Sequence, residues 1–263
     1  TPSVMPTMDE ELVNIYMKQN KNLFENMYFS TKVSQIKELK SKVKVSFDKA
    51  DGSSFEEDFE AVLVSIGMRP NSGSVGLENV GVELDERGFI RIDEQSRTNI
   101  SNIFAIGDVS GGALLAHKAS YQGGIAAQVI AGQKAAFDAR AIPAVVYTDP
   151  EIAVAGLSEK DCKEKGINYR AVKFPWAASG RAIANGDPSG LTKLIIEEGT
   201  ERILGAGIIG KNAGDLISEA VLGIEMAARA SDMAMSIHPH PTVSETLMEA
   251  AEVFYGHPTH IAP

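Results

Sequence analysis

Cysteine is almost absent from the sequence: Cys162 is the single one in 263 residues. One thiol excludes an internal disulfide framework and any Cys-x-x-Cys metal or redox pair within the chain, and it fits a reducing compartment. Long hydrophobic runs are missing too. The longest, such as residues 61–66, fall far short of the ~20 apolar residues that cross a bilayer, so no membrane partner is expected. Basic charge is in deficit. Lys and Arg number 25 against 35 Asp and Glu, a formal net charge of −10. That excludes a general nucleic-acid binder, because phosphates want a basic surface. No G-x-G-x-x-G is identified anywhere in the sequence, nor a P-loop, H-E-x-x-H or EF-hand. No basic segment followed by an apolar one opens the sequence, so no secretory signal is expected. It opens on Thr1 with Pro2 and Pro6, as expected of a processed chain or a fragment.

What is there is ordinary for a globular protein, with 44% apolar and 23% charged residues, enough for about two domains. Residues 9–18, acids first and Lys last, predict a helix matched to its dipole. Strand-like runs follow at 27–36, 43–48 and 54–59, with Asp51-Gly52 as a hairpin turn. The continuous apolar run 61–66, closed by Gly67, predicts a strand buried on both faces. A Gly- and Asn-rich connection spans 73–88. Residues 103–108 predict a short buried strand ending in Gly-Asp, and 114–131 a helix. After a linker with Pro143, strands are expected at 145–147 and 152–156. A helix capped by Ser158 should follow, then a hairpin of 191–197 and 203–209 around Gly199, and helices at 215–228 and 242–254. No repeat or low-complexity tract is found.

Four places carry chemistry. In Ile237-His-Pro-His-Pro-Thr-Val-Ser-Glu245, Pro241 biases His240 away from helical backbone and Glu245 opens a helix. A His held by a carboxylate is a general base. The same letters fit a capping box from Thr242 to Glu245, and both roles are compatible. Four of the five His lie in the last 26 residues, but without the Cys or helical context of a zinc site; no metal is assigned. Asp108, at a strand end beside a Gly-rich loop, suits a sugar or ribityl hydroxyl, or caps the next helix. Gly67 permits close backbone approach, or merely turns the chain. Cys162 opens a polar helical segment and reads as an inert thiol.

Taken in order, these motifs resemble the flavin-dependent disulfide oxidoreductases of the dihydrolipoyl dehydrogenase type. Ser65-Ile-Gly-Met-Arg-Pro-Asn71 resembles the turn closing their NAD domain, and Asn102-Ile-Phe-Ala-Ile-Gly-Asp-Val109 their second FAD signature. Leu114-Leu-Ala-His-Lys-Ala119 resembles the segment along the flavin. Tyr147–Ile152 and Phe174–Ala182 resemble the interface domain, and the paired histidines favour this type over glutathione reductase. Pro239 stands where the family usually has another small residue. The resemblance covers the whole chain but only the C-terminal half of the family.

The fold it implies is α/β and α+β. Residues 1–70 would be the remnant of a nucleotide-binding α/β domain with a β-meander, 71–140 a central FAD-contacting segment, and 141–263 an α+β dimerisation domain. It implies FAD and NAD as cofactors, His240 as base and Glu245 as its partner. Asp108 would hold the flavin ribityl chain, with Leu114, Leu115, Ala116 and His117 along the flavin, and Val33 and Gly67 along NAD. It implies a homodimer, a lipoyl-bearing acyltransferase (E2) as partner, and the bacterial cytoplasm or mitochondrial matrix. With one cysteine, the 263-residue chain alone is expected to be inactive. A different flavin disulfide reductase, a non-catalytic dimerisation module and a His-rich metal binder remain as other readings.

Overall fold

Asp9 begins the first helix by accepting the backbone N–H groups of Glu11 and Leu12, and Glu10, Glu11 and Lys18 lie on the ends the dipole favours. This is α1 (Glu10–Gln19) in the computed structural model, which describes residues 1–261. The chain divides into two compact units, one from Thr1–Ser65 with the chain from Val145 onward, the other Ile66–Ala144.

In the first unit, β1 (Thr31–Glu38), β2 (Val43–Lys49) and β3 (Ser54–Phe59) form the expected antiparallel meander. Gly52 turns its second hairpin at φ +84°. The first strand starts four residues later than predicted, after Ser30 at φ +48°, a conformation that interrupts extended backbone. A five-stranded sheet follows in the order β4 (Ala144–Val146), β5 (Glu151–Gly156), β8 (Ile203–Gly210), β7 (Leu191–Glu197), β6 (Tyr169–Pro175). β7 is buried from Leu191 to Ile196, so this interior strand is covered on both faces. Gly199, at φ +91°, lies in the connection from β7 to β8, as predicted. The helices are α3 (Glu159–Glu164), α4 (Gly180–Ala184), α5 (Ala213–Glu225), α6 (Ala230–Met235) and α7 (Glu245–Tyr255). The sequence reading did not announce β6, α4 or α6; the two helices, of five and six residues, are too short to show a repeat.

Three sequence readings are corrected. Residues 61–66 form no strand, and Leu63 and Ile66 are each 93% exposed. Such a run is buried only between two neighbouring strands, and none pairs with it among the described residues. Residues 103–108 are not a strand either. One bridge joins Arg97 to Phe104, and Gly107, at φ +73°, then bends the chain into a 3-10 turn over Gly107–Ser110. Third, residues 205–210 do spell G-x-G-x-x-G. They lie inside β8, paired antiparallel with β5 and β7 on its two sides, so these glycines serve sheet packing and cradle no phosphate.

Two buried side chains of the first unit have shifted titrations. Lys193 on β7 is 2% exposed, and its Nζ lies 2.9 Å from Asp9, 3.3 Å from Glu11 and 2.5 Å from Glu159. Burial works against its charge, but its hydrogen bonds to Glu159 and Asp9 outweigh that and push its pKa up. Cys162 on α3 is fully buried, and burial pushes its thiol pKa up. Since the thiolate is the reactive form, Cys162 is expected to resist a thiol reagent in the native chain and to react fully after denaturation. Rapid labelling of the native chain would contradict this placement.

In the second unit, α2 (Ala116–Ile130) carries a buried stripe of Lys118, Gln122, Ile125, Ala126 and Val129.

Candidate active site

Glu245 is the first residue of α7, and its two oxygens do different work. Oε1 lies 2.9 Å from His240 Nδ1. Oε2 accepts the Thr242 backbone N–H at 2.7 Å, which is one half of a capping box. One side chain thus meets both the His240 ring and the Thr242 N–H, while the helix N-cap is Ser244, without a side-chain cap bond. Thr242 Oγ1 donates to the Pro239 carbonyl at 2.7 Å and lies 2.8 Å from Ser244 Oγ, closing the loop on itself. The Glu245 side chain is 17% exposed and that of His240 70%. Burial acts to raise the Glu245 pKa. The Thr242 amide, His240 and the nearby His260 together outweigh burial and hold it below the usual carboxylate range. With Nδ1 engaged, Nε2 of His240 is left without a hydrogen-bond partner among the described residues.

Two more His–carboxylate pairs flank this one. The buried His238 ring has Nδ1 2.8 Å from the Ser236 carbonyl and Nε2 2.7 Å from Glu219 on α5. His260 Nδ1 meets the buried Glu249 one turn along α7, and that contact raises the His260 pKa against the effect of burial. The three imidazoles thus hold three separate carboxylates. No group of three or more His, Cys, Asp or Glu able to hold a metal occurs among the described residues.

The second unit assembles its own cleft. Gly107 N–H donates to Gln122 Oε1 at 2.8 Å, and Lys118 Nζ donates to the carbonyls of Gly107 and Gly111. Burial lowers the Lys118 pKa. These bonds hold the turn that presents Asp108, whose side chain is exposed. A cleft of about 280 Å³ is lined by Met68–Asn71, Phe89, Asp108, Val109 and Leu114, so two segments read as separate motifs converge. Gly67, at φ +99°, has open space where a Cβ would be. Leu115 precedes α2 without a side-chain cap, so the first-turn N–H groups at Ala116 and His117 have no side-chain acceptor there. His117 Nε2 lies 2.8 Å from the Pro143 carbonyl. Val33 sits on β1 at a bulge, half exposed. Sequence reasoning missed Lys118 and Gln122, which bind the Asp108 turn from eleven and fifteen residues away along a helix face.

No described helix is long and apolar enough to cross a membrane. The family model described as "Pyridine nucleotide-disulphide oxidoreductase" matches residues 1–123, and "Pyridine nucleotide-disulphide oxidoreductase, dimerisation domain" matches 142–251. A dihydrolipoyl dehydrogenase of Vibrio cholerae is 46% identical over 253 residues, covering 96% of this chain and 53% of the relative. One of Haemophilus influenzae is 47% identical over 253 residues, covering 96% and 52%. The chain thus spans about half the length of the curated relatives it matches. Among solved structures, LpdA from Mycobacterium tuberculosis matches in fold with a TM-score of 0.87 at 24% identity, covering 95% of this chain and 54% of that one. The HOCl-induced flavoprotein disulfide reductase RclA from Escherichia coli gives 0.86 at 24%, covering 95% and 57%. With both family descriptions matched in order along it, the chain belongs to the pyridine nucleotide-disulphide oxidoreductases.

Proposed function

We propose that this chain is the C-terminal part of a dihydrolipoyl dehydrogenase, which oxidises dihydrolipoamide to lipoamide and reduces NAD+. The observation that carries this reading is the His240–Glu245 contact at 2.9 Å with Nε2 left open. The dithiol gives up two electrons and two protons; NAD+ takes both electrons and one proton, and the other proton leaves to solvent. FAD, when bound, supplies the two-electron relay between dithiol and NAD+. Glu245 fixes the tautomer that puts the proton on Nδ1, so the Nε2 lone pair takes the thiol proton. The imidazolium so formed stays beside a carboxylate already held in its charged form.

The residues around Asp108 fit a flavin. An exposed carboxylate on a left-handed glycine turn accepts ribityl hydroxyls, and the uncapped start of α2 offers N–H groups to electron-rich flavin atoms. In this reading Asp108 holds the ribityl chain and Leu114, Leu115, Ala116 and His117 lie along the flavin. Val33 and Gly67 lie along NAD, with 1–70, 71–140 and 141–263 as the three domain portions. Residues 142–251 pair two subunits. The exposed apolar side chains Leu222, Met226, Met235 and Ile237 in that region support it. The redox disulfide is not supplied by Cys162, which is buried and alone. A lipoyl-bearing acyltransferase is the partner that presents the dithiol, in the cytoplasm, as the bacterial relatives favour.

The test is NADH formation by the whole protein from dihydrolipoamide and NAD+. Turnover is expected there and none from the 263-residue chain alone. Turnover with glutathione disulfide and NADPH, but none with dihydrolipoamide, would assign another member of the family.

A further inference from the structure

Three buried polar groups outside the site form one connected line that ends beside it. Trp176 opens a 3-10 turn after β6 and is 1% exposed. Its backbone N–H donates to the Gly190 carbonyl at 2.9 Å, and its indole lies so close that a Cβ on Gly190 would come within 2.3 Å of the ring. The ring is therefore packed tightly against the start of β7. Its Nε1–H donates to Thr192 Oγ1 at 2.9 Å. Thr192 Oγ1 in turn lies 2.7 Å from Thr246 Oγ1. Thr192 is fully buried, and Thr246, 1% exposed, is the residue after Glu245 in the first turn of α7.

We propose that Trp176, Thr192 and Thr246 are positioning residues, a buried hydroxyl relay that sets the start of α7 and thereby aims the Glu245 carboxylate at His240. The inference rests on the reading of His240 as the base. The Thr246 hydroxyl meets Thr192 on the sheet, whereas the Glu245 carboxylate bonds to His240 and Thr242, both on the loop before it. If the helix start moved, the carboxylate would move away from that loop and lose its aim at His240. A hydroxyl at 192 receives the indole N–H and serves Thr246 at once, so one substitution unmakes both contacts. Removing it orphans two buried polar groups, and the local escape from that penalty is a shift of the helix start.

The test compares Thr192→Val with Thr192→Ser. In the 263-residue chain, carboxyl carbon NMR reads the titration of Glu245 directly. Thr192→Val is expected to move that titration upward, toward ordinary carboxylates, because the hydrogen bond from His240 weakens. Thr192→Ser keeps both contacts and should leave it in place. In the whole protein, Thr192→Val should lower kcat about tenfold or more with KM little changed, since small misplacements of catalytic groups act on rate. If Thr192→Val lowers only the melting temperature, with the Glu245 titration and kcat at the parent values, the relay is packing and the proposal falls. If Thr192→Val does not fold, Trp176→Phe, which removes the donor and keeps a smaller aromatic ring in its place, decides the matter by the same readouts. His240→Gln serves as control: an active His240→Gln enzyme refutes the base reading itself, while an inactive one with unaffected relay variants refutes only the relay.

Discussion

His240→Gln in the whole protein is expected to cut dihydrolipoamide-driven NADH formation by about 10²- to 10⁴-fold, the range general-base removal typically costs. Glutamine keeps a polar group of similar reach but has no basic nitrogen to take the thiol proton. Sedimentation and flavin absorbance should match the parent, because the His240 side chain is 70% exposed and buries little. Glu245→Gln should cost less in rate, since the imidazole remains, but should cost stability as well, because the same carboxylate accepts the Thr242 N–H. The sign with pH follows from its depressed pKa. The folded form prefers the charged carboxylate, so Glu245 stabilises above the unfolded carboxylate range, and that contribution is lost as pH falls through the folded value. The parent and Glu245→Gln stabilities should therefore converge in acid. Steady-state kinetics and urea titrations across pH check both; a His240→Gln enzyme within threefold of the parent would end the base assignment.

Lys193→Met is expected to lose on the order of 3–5 kcal/mol of stability, the cost of breaking a buried ion pair from one side. The side chain is 3% exposed and faces Asp9, Glu11 and Glu159, so removing its charge leaves three carboxylates facing one another. Two of them are helix starts: Asp9 caps α1 and Glu159 opens α3. The damage should spread to both helices. Because the Glu159 pKa is lowered in the fold despite burial, mainly by Lys193, the parent's advantage should shrink as pH falls through that depressed value. Urea unfolding at neutral and acidic pH reads this out, and a neutral-pH loss under about 1 kcal/mol would contradict the network's importance.

What was legible in the sequence was local. Ser158 and Asp161 form the capping box the letters promised, with both reciprocal bonds present. The hairpin of β7 and β8 forms where alternating apolar runs flank Gly199. His240 and Glu245 touch because five residues separate them across a rigid Pro. What was hidden depends on partners far along the chain. Lys193 meets Asp9 across 184 residues, and Thr192 meets Thr246 across 54. A lysine inside an apolar run and a threonine beside it show no pattern that names those partners. The run at 61–66 misled for the opposite reason: its composition is that of a buried strand, but burial is conferred by neighbours rather than by composition.

Trp176 has a spectroscopic consequence. It is the only tryptophan in the chain, so indole emission comes from one place, a dry core site with its N–H bound to Thr192. The chain thus carries an intrinsic fluorophore one hydroxyl away from the turn that holds Glu245. A red shift in that emission marks water reaching the start of α7, and it distinguishes loosening there from unfolding of the meander, whose Tyr28, Phe47 and Phe55 rings are silent at tryptophan-selective excitation.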